Sequence, residues 1–160
     1  MRREVIVIGV LCVVAIILGA WIFFFDKGGP STVSFSVLQA GTNASQVTER
    51  KNYRIKTGEE LTQLWKSIYG PDAPAMPSVD FDKHQVLAVF DGTHTTGGYT
   101  VRVESVTDDG LHRNVRIIHE EPDDTCMVTE AFSSPYQLIV VPKSTAQIVR
   151  EDITLTRSCK

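Results

Sequence analysis

Residues 85–106, QVLAVFDGTHTTGGYTVRVESV, decide the fold of this chain. The apolar run at 85–90 predicts a buried central strand, and the alternation of apolar and polar residues at 99–106 predicts a strand with one buried face. Residues 93–98 between them hold three threonines, a histidine and a glycine pair. A tight turn requires only one or two residues that tolerate unusual backbone angles, so this loop is expected to do more than reverse the chain.

Similar patterns extend over the rest of the chain. Thr57 and Glu60 form a capping box that predicts a helix, and Gly70-Pro71 ends it. One face of this helix carries the apolar residues Leu61, Leu64, Trp65 and Ile68. Further strands are predicted at residues 33–37, 52–56, 111–119, 136–141 and 147–156. We therefore expect a mainly β domain of the α+β class, an antiparallel sheet or sandwich with one packed helix.

Residues 5–25, VIVIGVLCVVAIILGAWIFFF, are 21 consecutive residues without a charge. As a helix they would extend about 31 Å, which matches the hydrocarbon core of a bilayer. Arg2 and Arg3 precede the segment, whereas Asp26 and Lys27 after it cancel, so the N-terminus is predicted to be cytoplasmic. The expected layout of this single-pass cell-membrane protein is a cytoplasmic stub at 1–4, a transmembrane helix at 5–25, a linker at 26–32 and an extracytoplasmic domain at 33–160.

A cleaved signal peptide is the alternative for this segment. Its best small-residue site, Leu18-Gly19-Ala20, has a leucine where a small side chain is required, and cleavage there would leave apolar residues at the new N-terminus. Lipidation at Cys12 is disfavoured because the preceding Leu11 is bulky. A membrane anchor therefore fits the sequence better than either form of processing.

The remaining 135 residues suit one domain with its own core. They hold 14 lysines and arginines and 18 aspartates and glutamates, a net charge of −4. Such a field does not attract nucleic acid, so no nucleic-acid partner is expected. The acidic run at 120–124 lacks the spacing of a calcium loop and is interpreted as a solvated loop.

Cys126 and Cys159 are the two cysteines of this domain. Thiols outside the cytoplasm can be oxidised, so a pair in a small exported domain predicts a disulfide. Zinc is the weaker alternative, because neither cysteine has a second ligand at C-x-x-C spacing and His119 is the only histidine near them. We expect neither a metal nor a cofactor.

The common catalytic motifs are absent from the sequence. It contains no G-x-S-x-G, no G-x-x-x-x-G-K-[ST], no G-x-G-x-x-G and no H-E-x-x-H. The histidines at 84, 94, 112 and 119 are spread over different predicted elements and are interpreted as ordinary polar residues. The sequence therefore predicts a protein that is not an enzyme.

The candidate binding site is the loop formed by Thr93, His94, Thr95, Thr96, Gly97, Gly98 and Tyr99. The two glycines are expected to shape the backbone, and the tyrosine to turn inward at the start of the next strand. The first three residues are expected to form an exposed tip that contacts a partner. The alternative is a purely architectural loop, in which the threonine hydroxyls bond to loop amides.

The order of motifs resembles a known family. The apolar strand is followed by a T-G-G-Y turn, an alternating strand, a D-G hairpin and an E-x-P segment, and then by Cys126-Met127-Val128-Thr129 and Ser134-Pro135-Tyr136. Over about residues 79–143 this order is similar to the C-terminal domain of PrcB, a protease complex subunit. The capped helix with Leu64-Trp65 fits the family as well.

This resemblance implies a non-catalytic, envelope-associated protein. The protein for which the family is named supports the assembly or stability of a surface protease, so the implied partner is an envelope protein, with a protease as the specific candidate. The chain departs from that pattern in its predicted membrane helix and in the lack of a lipoprotein signal.

A second resemblance supplies an alternative function. Inhibitors of papain-like cysteine proteases of the chagasin type present an N-P-T-T-G-[YF] loop on a β-sandwich, and residues 94–99, HTTGGY, are similar with one added glycine and no asparagine-proline. Ser134-Pro135-Tyr136 is a loose counterpart of a second, Arg-Pro-Trp loop in that family. The alternative is therefore a protease inhibitor that presents loop 93–99.

Overall fold

The structure is a computed structural model that describes residues 29–44 and 46–159. The predicted cytoplasmic stub, the transmembrane helix and the first residues of the linker lie outside the described residues. Within the described residues, no helix is both long and apolar enough to cross a membrane. The elements, in chain order, are β1 (Ser31–Thr32), β2 (Ser36–Gly41), β3 (Arg50–Ile55), α1 (Gly58–Tyr69), a 3-10 turn (Gly70–Asp72), β4 (His84–Asp91), β5 (Thr100–Asp108), β6 (His112–Pro122), β7 (Tyr136–Pro142) and β8 (Gln147–Arg157).

The domain has three layers. Sheet 1 has the strand order β1-β5-β6-β8, and sheet 2 has the order β2-β7-β4-β3. The two sheets face each other across an apolar layer that includes Leu87, Val103, Ile117 and Ile139. Helix α1 packs on the other face of sheet 2. The predicted mainly β fold with one packed helix is confirmed.

Helix α1 forms where its sequence signals predict it. The Thr57 hydroxyl accepts a hydrogen bond from the Glu60 amide at 3.2 Å, and the Glu60 carboxylate accepts from the Lys56 amide at 2.7 Å. Gly70 ends the helix with a positive φ of 75°. The four apolar residues of the predicted face are all buried, so this face attaches the helix to sheet 2 through the hydrophobic effect.

The position of strand β4 explains why residues 85–90 are almost all apolar. It lies between β7 and β3 in sheet 2 and is covered on both faces. Val86, Ala88 and Phe90 contact the helix layer, whereas Leu87 and Val89 contact sheet 1. A strand covered on both faces reads as a continuous hydrophobic run because neither set of alternate side chains meets water.

Two features of the sheets differ from the prediction. Strand β2 begins at Ser36 rather than at residue 33, and Val37 is 54% exposed, whereas Val33 and Phe35 pack against the layer between the sheets before β2 begins. Strand β8 runs parallel to β6, so sheet 1 is mixed and not wholly antiparallel. This parallel pairing is possible because β7 crosses to sheet 2 between β6 and β8.

Candidate functional site: two paired loops

The structure places the two predicted binding segments side by side. The His94 amide donates to the Ser133 carbonyl at 2.8 Å, and the Ser133 amide donates to the His94 carbonyl at 3.0 Å. The Ser133 hydroxyl donates to the Thr96 carbonyl at 2.7 Å, and the Gly97 amide donates to the Thr129 carbonyl at 2.9 Å. We call residues 93–99 and 126–135 the paired loops, because these bonds hold them together along most of their length.

The glycine pair is required by this close approach. Gly98 has a φ of +94°, in the region that favours glycine. A Cβ atom on Gly98 would lie 2.9 Å from Val128 Cγ1 and 3.1 Å from Pro122 Cγ, and a Cβ atom on Gly97 would collide with Thr129 Oγ1. Both glycines therefore shape the backbone, as the sequence predicts.

A cluster of charged side chains lies beneath loop 93–99. Asp91 lies at the end of β4 and has contacts at both carboxylate oxygens. Its Oδ1 atom lies 2.7 Å from Arg50 Nη2 and 2.6 Å from His119 Nδ1. Its Oδ2 atom lies 2.8 Å from His94 Nε2. His119 Nε2 contacts Asp152 Oδ1 at 3.0 Å. We call these five residues the ion cluster. It connects β3, β4, β6 and β8 to the loop.

The contacts within the ion cluster shift the pKa values of Asp91 and His119. Burial alone would raise the pKa of Asp91, but hydrogen bonds from His119 and His94 and the charge of Arg50 outweigh it, and the pKa lies below its ordinary value. Burial alone would lower the pKa of His119, but hydrogen bonds to Asp91 and Asp152 outweigh it, and the pKa is raised. The two carboxylates therefore favour the imidazolium form of the His119 ring.

His94 does not lie at the exposed tip, in contrast to the prediction. Only 19% of its side chain is exposed, and its ring stacks on Tyr99 with the centroids 3.7 Å apart. The expectation of an exposed His94 was wrong because Asp91, two residues before loop 93–99, draws the imidazole inward. Thr93 and Thr95 remain exposed, so the accessible part of the loop is its threonines.

The second predicted segment contributes mainly to the core. Tyr136 is 3% exposed and its hydroxyl lies 2.8 Å from that of Tyr69, while burial raises its pKa. Pro135 is also buried. Ser134 is half-buried and its hydroxyl lies 2.8 Å from Thr93 Oγ1. Ser134 therefore connects the two paired loops, whereas Pro135 and Tyr136 are buried and do not reach the surface.

Two apolar side chains project from the paired loops into solvent. Phe132 is 73% exposed, and Met127 is fully exposed. Phe132 lies opposite Thr95, because the His94–Ser133 pairing is antiparallel. We call Thr93, Thr95, Met127 and Phe132 the recognition surface. Met127 and Phe132 were not predicted as surface residues, although apolar residues in a loop between strands are the signal that marks them.

The end of β8 supports the paired loops through the predicted disulfide. Cys126 and Cys159 are bonded, with their Cα atoms 4.9 Å apart. The Asp123 amide donates to the Arg157 carbonyl at 3.0 Å, and the Arg157 guanidinium donates to the Gly98 carbonyl at 3.4 Å. The predicted disulfide is confirmed, and it holds the turn that precedes Met127 against the end of the chain.

The ion cluster does not have the geometry of a nucleophile and its base. In the described part of the chain, no hydroxyl or thiol is hydrogen-bonded to a histidine ring nitrogen, and both ring nitrogens of His119 are occupied by carboxylates. Residues 29–44 and 46–159 also contain no group of three or more histidine, cysteine or acidic side chains arranged to hold a metal ion.

Sequence reasoning missed the ion cluster, although strand periodicity carries the signal. Val115, Ile117 and His119 lie on one face of β6, and Leu87, Val89 and Asp91 lie on one face of β4. A polar residue that continues a buried face needs a partner in the core. Asp91 and His119 are two such residues, so strand periodicity indicates a buried polar pair.

The comparisons with known proteins agree with the motif order. No curated protein and no solved structure shows significant similarity to the chain. One family model matches, and its description is PrcB C-terminal. The match includes β4 to β7 with loop 93–99 and the segment that carries Met127 and Phe132. Residues 85–142 of this chain therefore match the PrcB C-terminal family model, which confirms the resemblance that the motifs indicate.

Proposed function

We propose that this chain is a non-catalytic, membrane-anchored protein-interaction domain that binds an envelope protein, with a protease as the specific candidate, through the recognition surface. The observation that carries the proposal is the exposure of Phe132 and Met127 on a backbone that is fixed by reciprocal hydrogen bonds and a disulfide. Exposed aromatic and methionine side chains are enriched at protein interfaces. A fixed backbone lowers the entropy lost on binding.

The position of β1 supports an orientation of this surface away from the membrane. Ser31 pairs with Asp108 and Thr32 with Thr107, at the end of β5. The paired loops lie at the other end of β5, nine residues away, which corresponds to about 30 Å. If the chain is anchored through residues 5–25, the tether enters at one end of sheet 1 and the recognition surface lies at the other, where a partner has access.

Capture of the partner from membranes tests the proposal. The full chain is crosslinked in intact cells and purified, and the crosslinked proteins are identified and compared between Phe132→Ser and Leu111→Ser. Leu111 is 70% exposed, close to the 73% of Phe132, but it lies in the hairpin at the opposite end of β5, so it is a matched control. We expect Phe132→Ser to lose a specific envelope protein that Leu111→Ser retains. Equal capture by both variants would contradict the proposal.

Inhibition of a cysteine protease is the second candidate function. The observation in its favour is that the two paired loops lie side by side, since an inhibitor of the chagasin type uses adjacent loops. The burial of Tyr136 weakens this candidate, because the counterpart of the second loop does not reach the surface. Titration of a papain-like protease with the full chain tests it: an inhibitor abolishes activity at a stoichiometric amount.

A further inference from the structure

A cleft opens between the two sheets on the side where strands β3 and β8 form their edges. Its volume is about 240 Å³, and its walls come from β3, β4, β6 and β8. Leu87, Val89, Val115, Ile117 and Ile148 supply an apolar floor. At about 30 Å³ for each water molecule, this space admits an apolar group of roughly eight heavy atoms.

Two guanidinium groups line the cleft without a carboxylate partner in the described residues. Arg54 donates to Gln85 Oε1 at 2.9 Å, to the Ala146 carbonyl at 3.0 Å and to the Ser144 carbonyl. Arg150 donates to the Asn52 amide oxygen at 2.7 Å, with that amide in the orientation that satisfies both of its polar atoms. All of these acceptors are neutral. Neither guanidinium therefore has a carboxylate within ion-pair distance in the described residues, and each retains free N–H donors from its set of five.

The composition of the lining makes the charge of the cleft one-sided. Its ten lining residues include the two arginines and no aspartate or glutamate. Asp152, two residues after Arg150 on the same face of β8, is occupied by His119. Gln85, on the same face of β4 as Leu87, also has a buried Nε2 atom with no hydrogen-bond partner in the described residues. An anion is therefore favoured here by two cations, with no carboxylate in the lining to repel it.

We propose that this cleft binds a small amphipathic carboxylate, whose apolar group of about eight heavy atoms occupies the floor and whose carboxylate is bound by Arg150 and Arg54. Guanidinium groups bind carboxylates through charge-assisted hydrogen bonds. Ligand sites combine an apolar lining with a few polar groups that fix orientation, and the cleft has this arrangement. None of the recognition-surface residues lines the cleft, so the site is independent of the proposed partner.

Octanoate is the probe for this site. Its binding is measured by the methyl NMR signals of Ile117 and Ile148 in the full chain. The chain is held in phosphatidylcholine nanodiscs, so that no free detergent competes with octanoate for the cleft. We expect saturable shifts with a Kd on the order of 1 mM or tighter. Acetate lacks the apolar group, and octylammonium carries the opposite charge, so neither is expected to shift these signals. The absence of saturation by about 10 mM octanoate, or equal binding of octylammonium, would overturn the proposal.

Variants separate the charge of Arg150 from its structural role. Arg150→Gln should weaken octanoate about tenfold or more, because a hydrogen bond to a charged group is lost. Arg116→Gln is the matched control, since Arg116 lies on the opposite face of sheet 1 and is paired with Glu104 at 3.0 Å. Asn52→Ala removes the neutral partner of Arg150 and should retain binding. Unchanged affinity in Arg150→Gln, or an equal loss in Arg116→Gln, would contradict the assigned site.

Discussion

His119 and Asp91 are joined by a hydrogen bond of 2.6 Å between β6 and β4, and both side chains are fully buried. The second ring nitrogen of His119 contacts Asp152 on β8. A neutral imidazole would direct a lone pair at one of these carboxylates, so the geometry favours the charged form. The stability of the two sheets is thereby linked to the protonation of one histidine.

This linkage predicts that stability falls at both ends of the pH range. The raised pKa of His119 contributes stability that is complete below its ordinary value of 6.5 and is lost as the pH rises through its folded value. The lowered pKa of Asp91 contributes stability above 3.8 that is lost as the pH falls through its folded value. Urea unfolding at a series of pH values measures both effects.

The variant His119→Gln isolates the alkaline effect. We expect it to lose about 3 to 5 kcal/mol near pH 6, because it leaves Asp91 buried with one partner fewer, and to show a flatter pH dependence above 6.5. His112→Gln is the control for loss of a histidine side chain, because His112 lies at the start of β6 and outside the ion cluster, and it should destabilise the domain less near pH 6. A parental pH profile in His119→Gln would exclude this residue as the titrating group.

The structure predicts that His94 and Thr95 have different roles, although they are adjacent. His94→Ala should lower the free energy of unfolding by about 1 to 3 kcal/mol, because it removes a hydrogen bond to a buried carboxylate and the stack on Tyr99. Thr95→Ala, at an exposed position, should stay within about 0.5 kcal/mol of the parent and should weaken partner binding. Thermal unfolding of both variants measures the difference in stability, and partner capture measures binding by Thr95→Ala. Equal melting temperatures of the two variants would contradict a stabilising role for His94.

Gly98→Val should destabilise the domain by about 1 to 3 kcal/mol, since the residue has a positive φ and its added atoms meet Val128 and Pro122. Gly29→Val is the control, because a Cβ atom there meets nothing within 4 Å. Chemical unfolding of the two variants provides the comparison. A Gly98→Val variant as stable as Gly29→Val would show that the loop backbone adapts.

Removal of the disulfide should lower stability by about 3 to 4 kcal/mol in the chain-entropy model, since the bond closes a separation of 33 residues. Because Cys126 precedes Met127, Cys159→Ser should also loosen the recognition surface and weaken partner capture. Mass spectrometry of the unreduced chain, isolated from the envelope, provides the direct check. Two free thiols in that sample would disprove the bond in the native protein.

The membrane topology remains a prediction from residues 1–27. Protease added to spheroplasts should digest a tag at the C-terminus and leave a tag at the N-terminus intact, because the arginine flank favours a cytoplasmic start. Immunoblots of both tags measure the outcome. The reverse pattern, or a soluble product cleaved near Ala20, would contradict the anchor.

Local patterns were enough to predict the elements, but not their pairing. The helix face at Leu61 and Leu64 and the buried run of β4 follow from periodicity, because each depends on neighbours within a few residues. The parallel pairing of β8 with β6 depends on contacts between residues such as Ile117 and Asp152 that are far apart in sequence. The inward turn of His94 likewise depends on the position of Asp91, which Arg50 and His119 also contact. Strand periodicity marks Asp91 and His119 as buried polar residues, but it does not show that they meet.

Sheet 1 takes its two edge strands from opposite ends of the described chain, β1 at the start and β8 at the finish. During synthesis from the N-terminus, sheet 2 and its helix can assemble while β6 still has one open side, and β8 is added last. A nascent or truncated chain that ends before Gln147 would leave the amides and carbonyls of β6 available to a strand from another molecule. Strand β8 thus acts as an intramolecular cover for the open side of β6, and a chain truncated before it is expected to self-associate through that strand.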